Sequence, residues 1–168
     1  MKPFRYATLA AIAVAAATMF QAPRALAASS VSTAVGSCQA SLATYEAGLR
    51  KRPLAIQNGG TTSVFLTCSS QSGYNAIAVD AAIVIAKNLN AAAVEVSCTL
   101  VDGPLPGLAS YYTKTLTFPP GQFGVFGWAA SEYGLTTFSG SENFSCKVPP
   151  GVEINVVGFN YYFDSASS

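Results

Sequence analysis

The chain has no histidine. That absence removes the Ser-His-Asp triad, the Cys–His nucleophile pair and every zinc site built on imidazole. It also removes the ordinary side-chain switch between about pH 5 and 8. No CxxC pair occurs, so the thioredoxin type of redox motif is missing too. Charge is scarce, with 10% of residues Asp, Glu, Lys or Arg. Nucleic-acid binding needs a basic face, and none can be built from so few cations. The one charge cluster is Arg50-Lys51-Arg52. It reads as a solvated strand entrance or, more sharply, as a contact for an anion or a membrane.

What is present begins with a leader. Lys2 and Arg5 precede an apolar, alanine-rich run over residues 6–20, and a polar stretch with Pro23 ends in Ala25-Leu26-Ala27. These are the n-region, h-region and small-x-small cleavage site of a secretory signal peptide. The run is shorter than the roughly 20 residues of a membrane span, although an uncleaved N-terminal anchor is the alternative. Cleavage is expected after Ala27 or Ala28, giving a signal peptide over 1–27 and a secreted domain over 28–168. No cysteine stands directly after the cut to carry a lipid. The mature chain of about 140 residues makes one domain, which buries about two-thirds of its unfolded surface. Lys2, Arg5 and Arg24 leave with the leader, so six cations face eight acids and the mature net charge is −2. The short alanine-rich core is of bacterial type, and the destination is the periplasm or the extracellular space.

Beyond the leader the dominant period is two, the mark of half-buried strands. Residues 40–48 hold at most a helical turn. Candidate strands run over 53–57, 61–69, 76–87, 94–102, 110–118, 125–130, 142–148 and 153–163. Asn58-Gly59-Gly60, Asn88-Leu89-Asn90, Pro119-Pro120-Gly121 and Pro149-Pro150-Gly151 supply turns between them. In the longest run Ile77, Val79, Ile83 and Ile85 share a phase, with Asp80 opposite. Val94, Val96, Cys98 and Leu100 share another, as do Phe144, Cys146 and Val148. About eight strands with turns between them predict an all-β, single antiparallel sandwich, Ig-like or jelly-roll-like. No internal repeat is evident.

The four cysteines, Cys38, Cys68, Cys98 and Cys146, all lie in the mature chain. An even count after a signal peptide predicts two disulfides. Three pairings are possible. Strand phase favours Cys98–Cys146, and Cys38–Cys68 would fix the segment before the first strand. Closing loops of 30 and 48 residues stabilises by about 3.5 to 4.5 kcal/mol each in the chain-entropy model.

Little other chemistry is signalled. Asp80, Glu95, Asp102, Glu132, Glu142 and Glu153 are the pool from which a glycosidase pair would come, but none stands out, and solvated strand faces explain them equally. There is no Asp-x-Asp-x-Asp run for calcium, only Asp102-Gly103 at a loop. Asn143-Phe144-Ser145 matches the glycosylation triplet inside a predicted strand and is read as chance. Aromatics are more informative. Phe123, Phe126, Trp128, Tyr133 and Phe138 crowd one Gly-rich segment, while Tyr111-Tyr112 and Tyr161-Tyr162-Phe163 place rings on both faces of their strands. Two readings stand. Either Trp128 and alternate rings form the core, or Trp128, Phe126, Tyr133, Tyr111 and Tyr162 form an exposed platform for sugar rings or a protein.

The motif order is a cysteine soon after the leader, VFLTC after a turn, VEVSCTL, then FSCKVPPG and a final β run. It resembles a group of small secreted bacterial proteins with four cysteines and a β-sandwich. In that group the second cysteine is often followed by proline, whereas Ser69 follows Cys68 here. The resemblance implies a fold and a localisation and brings no activity. The expectation is a secreted binding or interaction module that is not an enzyme, with no catalytic residue, cofactor or metal assigned. Its partner would be a glycan or a protein rather than nucleic acid, and no membrane span would remain after cleavage. The alternatives are a subunit of an extracellular surface structure, joined by an edge strand, and a carboxylate-dependent hydrolase.

Overall fold

The computed structural model describes residues 26–69, 76–139 and 142–163; for 26–28, 76–77, 142 and 161–163 it describes the backbone alone. The expected leader up to residue 25 lies outside the described residues, as does the expected loop Gln71-Ser72-Gly73. The expected cut after Ala27 or Ala28 falls inside the first strand.

Among the described residues, eleven strands form two antiparallel sheets. They are β1 (Leu26–Thr33), β2 (Cys38–Ala40), β3 (Leu49–Arg52), β4 (Ala55–Asn58), β5 (Val64–Ser69), β6 (Ala76–Asn88), β7 (Val94–Asp102), β8 (Ser110–Phe118), β9 (Phe123–Ala129), β10 (Glu142–Val148) and β11 (Val152–Phe163). Single helical turns sit at Ala34–Ser37 and Ala43–Glu46, with a 3-10 turn at Ala130–Tyr133. The six-stranded sheet is ordered β3-β4-β11-β6-β9, with β1 also on β11; the five-stranded sheet is β2-β5-β10-β7-β8. Strands β4 to β11 alone, ordered β4-β11-β6-β9 over β5-β10-β7-β8, make the two-Greek-key wrapping of a jelly roll. Of the two sandwich types expected, this is the second. Strands β1, β2 and β3 are additions the sequence reading did not predict.

The core lies between the sheets. Trp128 and Phe126 from β9, Phe144 from β10 and Phe159 from β11 are buried there. Phe144 stacks on Phe159 across the core at 5.3 Å, and Trp128 meets Phe144 at 5.6 Å. Burying each such side chain contributes about 2 to 3 kcal/mol.

One phase differs from expectation. Val79 points inward, but Ile83 and Ile85 point outward, and Ala82, Val84 and Ala86 take the core positions. The register with β11 shifts between Asn160 and Tyr161, where Ala81 pairs with Asn160 and Val79 with Tyr161. Asp80 is thus an extra residue, and a β-bulge flips every side chain beyond it.

The structure also reveals a 30-residue repeat that the sequence reading missed. Four of the crossovers between the sheets fall near residues 58, 88, 118 and 148. At the first, Asn58 Nδ2 donates to the carbonyls of Thr62 and Val148, both at 2.8 Å, and Oδ1 accepts the Gly60 N–H at 3.0 Å. At the second, Asn88 Nδ2 donates among the carbonyls of Ala92, Phe118 and Pro119, at 2.8 to 3.1 Å. Its Oδ1 accepts the Asn90 N–H at 2.9 Å. The other two crossovers are the Pro-Pro-Gly turns, with Gly121 and Gly151 at φ of 70° and 73°, the left-handed region that favours glycine. Each asparagine therefore holds a carbonyl at the opposing Pro-Pro-Gly crossover. Prolines carry no N–H to do this locally.

Candidate functional site

The sequence-predicted site residues scatter. Trp128 is 1% exposed and Phe126 is fully buried, so neither ring is available to a ligand. The physical reason is that β9 presents alternate residues inward at the sandwich edge. There Trp128 Nε1 donates to the Tyr112 carbonyl of β8 at 2.8 Å, closing one sheet against the other. Tyr133 is half-buried against Tyr112, with ring centroids 4.2 Å apart. Burial raises its phenol above the ordinary tyrosine value, a rise only partly opposed by Lys114. Tyr162 sits on β11 opposite Ala27 and Ala78, and its side chain lies outside the described residues. Among the rings whose side chains are described, Tyr111 is the one openly exposed, at 64%.

The cysteines pair as Cys38–Cys68 and Cys98–Cys146. Both bridges lie within the five-stranded sheet, between directly opposed residues of neighbouring strands. All four side chains face the core, where they serve as staples.

The carboxylates among the described side chains do not converge. Asp102 accepts the Ser139 N–H at 2.7 Å and also the Ser139 hydroxyl. Glu132 pairs with Lys114 at 2.6 Å. Glu153 is buried on the other sheet and accepts from Asn155 Nδ2 at 3.0 Å. Glu95 is exposed at the start of β7. No group of three or more potential metal ligands occurs among the described residues. The basic cluster forms β3, an exposed outer strand where Lys51 pairs with Glu46 at 2.6 Å. That bond and the Lys51 charge hold the Glu46 carboxyl below its usual value.

What the fold does bring together is the outer face of the five-stranded sheet. Because opposed residues share a face, strand register defines its rows. One row is Thr113, Thr99, Ser145, Thr67 and Gln39; the next is Thr115, Ser97, Lys147 and Phe65; a third is Tyr111, Val101, Asn143 and Ser69. Thr99 and Thr113 hydroxyls bond at 2.8 Å, and Thr115 donates to Ser97 at 3.1 Å. A hydroxyl carries one donor and two acceptor sites, so each retains capacity for a ligand. Two rings stand on this face: Tyr111 on β8 and Phe65 on β5, the latter 44% exposed. They are three strands and four residues out of row, about 20 Å apart on sheet geometry. At the β2 side the face runs into a groove of ≈ 310 Å³ whose polar lining includes Ser37, Gln39, Thr67, Ser69 and Asn143. A second cleft of ≈ 340 Å³, at the β3–β4 turn, is lined by charges of both signs, Arg52 and Glu153.

Sequence reasoning singled out Tyr111 and passed over Phe65 and the hydroxyl rows. A readable signal existed, since the outward phase of β8 is Thr113-x-Thr115-x-Thr117.

No protein-family model matches the chain, and no curated protein matches it. Among solved structures it is similar to the GH26-CBM35 β-(1,4)-mannanase of Podospora anserina, with 13% identity and a TM-score of 0.45 over 83% of this chain. It spans only 29% of that enzyme's length. It is also similar to TmCBM61, solved in complex with β-1,4-galactotriose, with 8% identity and a TM-score of 0.35, over 80% of this chain and 86% of that one. The class that the strand order defines is a jelly-roll β-sandwich with two disulfides inside one sheet.

Proposed function

We propose that the protein is a secreted, non-catalytic module that binds neutral glycans on the outer face of its five-stranded sheet. One observation carries this reading: the exposed Tyr111 and Phe65 flank a nearly uncharged floor of hydroxyls and carboxamides. A sugar ring has an apolar face that stacks on an aromatic side chain, and hydroxyls that exchange hydrogen bonds with Ser, Thr, Asn and Gln. Lys147 and Glu95 are the charged residues on this face, and they suit a neutral ligand better than a polyanion. Secretion is supported by the leader-like N-terminus and by two disulfides, which persist in oxidising compartments. No helix among the described residues is long and apolar enough to cross a membrane.

The test is binding of the exported protein to a panel of soluble neutral polysaccharides, followed by calorimetry on those retained. Tyr111→Ala and Phe65→Ala should each weaken binding by roughly 3- to 10-fold, the range of one lost ring contact. Phe123→Ala, on the opposite face, should leave binding unchanged. Retention of no glycan, or equal affinity in all three variants, rules the reading out.

A further inference from the structure

The outer face of the six-stranded sheet is apolar at its centre, where a solvent face is ordinarily polar. Rows read from strand register are Val125, Ile85, Val156 and Thr33; then Gly127, Ile83, Gly158 and Val31; then Ala129, Ala81, Asn160 and Ser29. Val31, Val125 and Phe123 are more than half exposed. Contiguous apolar patches of this kind on soluble proteins mark interaction surfaces. The bulge at Asp80 creates the patch, by turning Ile83 and Ile85 outward.

We propose that this face is a homodimer interface, packed on the same face of a second copy about a two-fold axis parallel to the strands, between β6 and β11. Self-complementarity across that axis argues for a second copy. Rotation lays each row over its own reverse. Ile85 then faces Val156 of the second copy, and Ile83 faces Gly158. Val31, 62% exposed, faces Gly127, where an added Cβ would meet nothing within 4 Å. The protruding residue thus meets the vacant position. The flanking row runs Phe123, Lys87, Glu153, Gln57 and Arg50, so the same rotation sets Lys87 opposite Glu153 and Phe123 opposite Gln57, the last of each pair 8% exposed in the monomer. Two isologous contacts of opposite charge result from a single operation. Aligned packing of twisted sheets, offset by about 30°, keeps this matching best near the axis. Four strands by four rows give roughly 1,000 Å² of planar face in the pair, the small end of specific interfaces, so the dimer should dissociate on dilution. This inference is independent of the glycan site, which lies on the other sheet.

The experiment is analytical ultracentrifugation of the disulfide-intact protein, purified after export, across a range up to about 0.5 mM. A monomer–dimer equilibrium is expected. Gly127→Val is the discriminating variant, because its Cβ meets no neighbour within 4 Å in the monomer and its side chain fills the position that Val31 of the second copy occupies. Dimerisation should weaken by about tenfold or more, as for overpacking, and adding Val31→Ala should restore much of it. If Gly127→Val leaves dimerisation unchanged or strengthens it, the face is merely adhesive and the proposal fails. Lys87→Glu probes the other end. It sets like charges opposite each other and should weaken the dimer more at low salt. A wild-type protein that stays monomeric throughout the range, or whose Lys87→Glu variant associates as before, also overturns the proposal, leaving an unlike protein or a lipid surface as the occupant to seek.

Discussion

At Asn58 and Asn88 a single carboxamide performs three jobs: it folds its own loop, satisfies a carbonyl four residues on, and reaches across to the other sheet. Both residues are fully buried. Removing the amide therefore strands several carbonyls out of reach of water, at about 1 to 3 kcal/mol each. Asn88→Ala is expected to cost about 2 to 4 kcal/mol in urea unfolding. Asn88→Asp is nearly isosteric yet turns a donor into an acceptor facing three carbonyls, and should be worse than alanine at neutral pH. Equal stability of Asn88→Asp and wild type would show that the amide is not the linchpin described. The aromatics expected to form a platform obey the same logic of surroundings. Trp128 is spent on the sandwich edge, while Tyr111, seven residues before Phe118 on an edge strand, keeps its ring in solvent.

Among elements, the two disulfides look alike in the sheet but hold different things. Cys98–Cys146 joins β7 to β10 in the interior of the five-stranded sheet, whereas Cys38–Cys68 holds the three-residue edge strand β2 on β5. Cys98→Ala with Cys146→Ala should lower global stability by about 4 kcal/mol in the loop-entropy model. Cys38→Ala with Cys68→Ala should instead expose β2 to hydrogen exchange with the rest of the sandwich still protected. Uniform loss of protection in the second variant would contradict this division. Most of the strands were legible because β5, β7, β8 and β10 alternate without interruption. The phase of β6 was not, since one inserted residue, Asp80, reverses it and a bulge leaves no mark in composition. Strand β3 was hidden by its charges and β1 by its overlap with a leader-like segment. The 30-residue repeat shares few residues between copies: Asn, Val and Cys at 58, 64 and 68 and at 88, 94 and 98, and Pro-Pro-Gly at 119 and 149. It becomes plain once the hydrogen bonds are seen. The candidate site was half legible: rings and threonines can be read strand by strand, but which rows they form depends on register across four strands.

At the scale of the whole molecule the sandwich has two faces of opposite character, a hydroxyl-bearing sheet and an apolar one. Packing the apolar faces together would leave both hydroxyl faces outward on opposite sides of a pair, each open to its own stretch of ligand. The crossovers have a further consequence, in time rather than in space. They are nested: Asn88 and Phe118 are separated by 30 residues, and this pair lies inside the 90-residue span from Asn58 to Val148. Loop closure costs more entropy for the longer span, so the inner pair should close first and the outer pair last. In stopped-flow measurements, Asn88→Ala should chiefly slow refolding and Asn58→Ala should chiefly speed unfolding. The reverse partition would mean that the chain closes from its ends. On the expected order, the jelly roll wraps outward from its central hairpin, and the last contact made joins residues from opposite ends of the wrap.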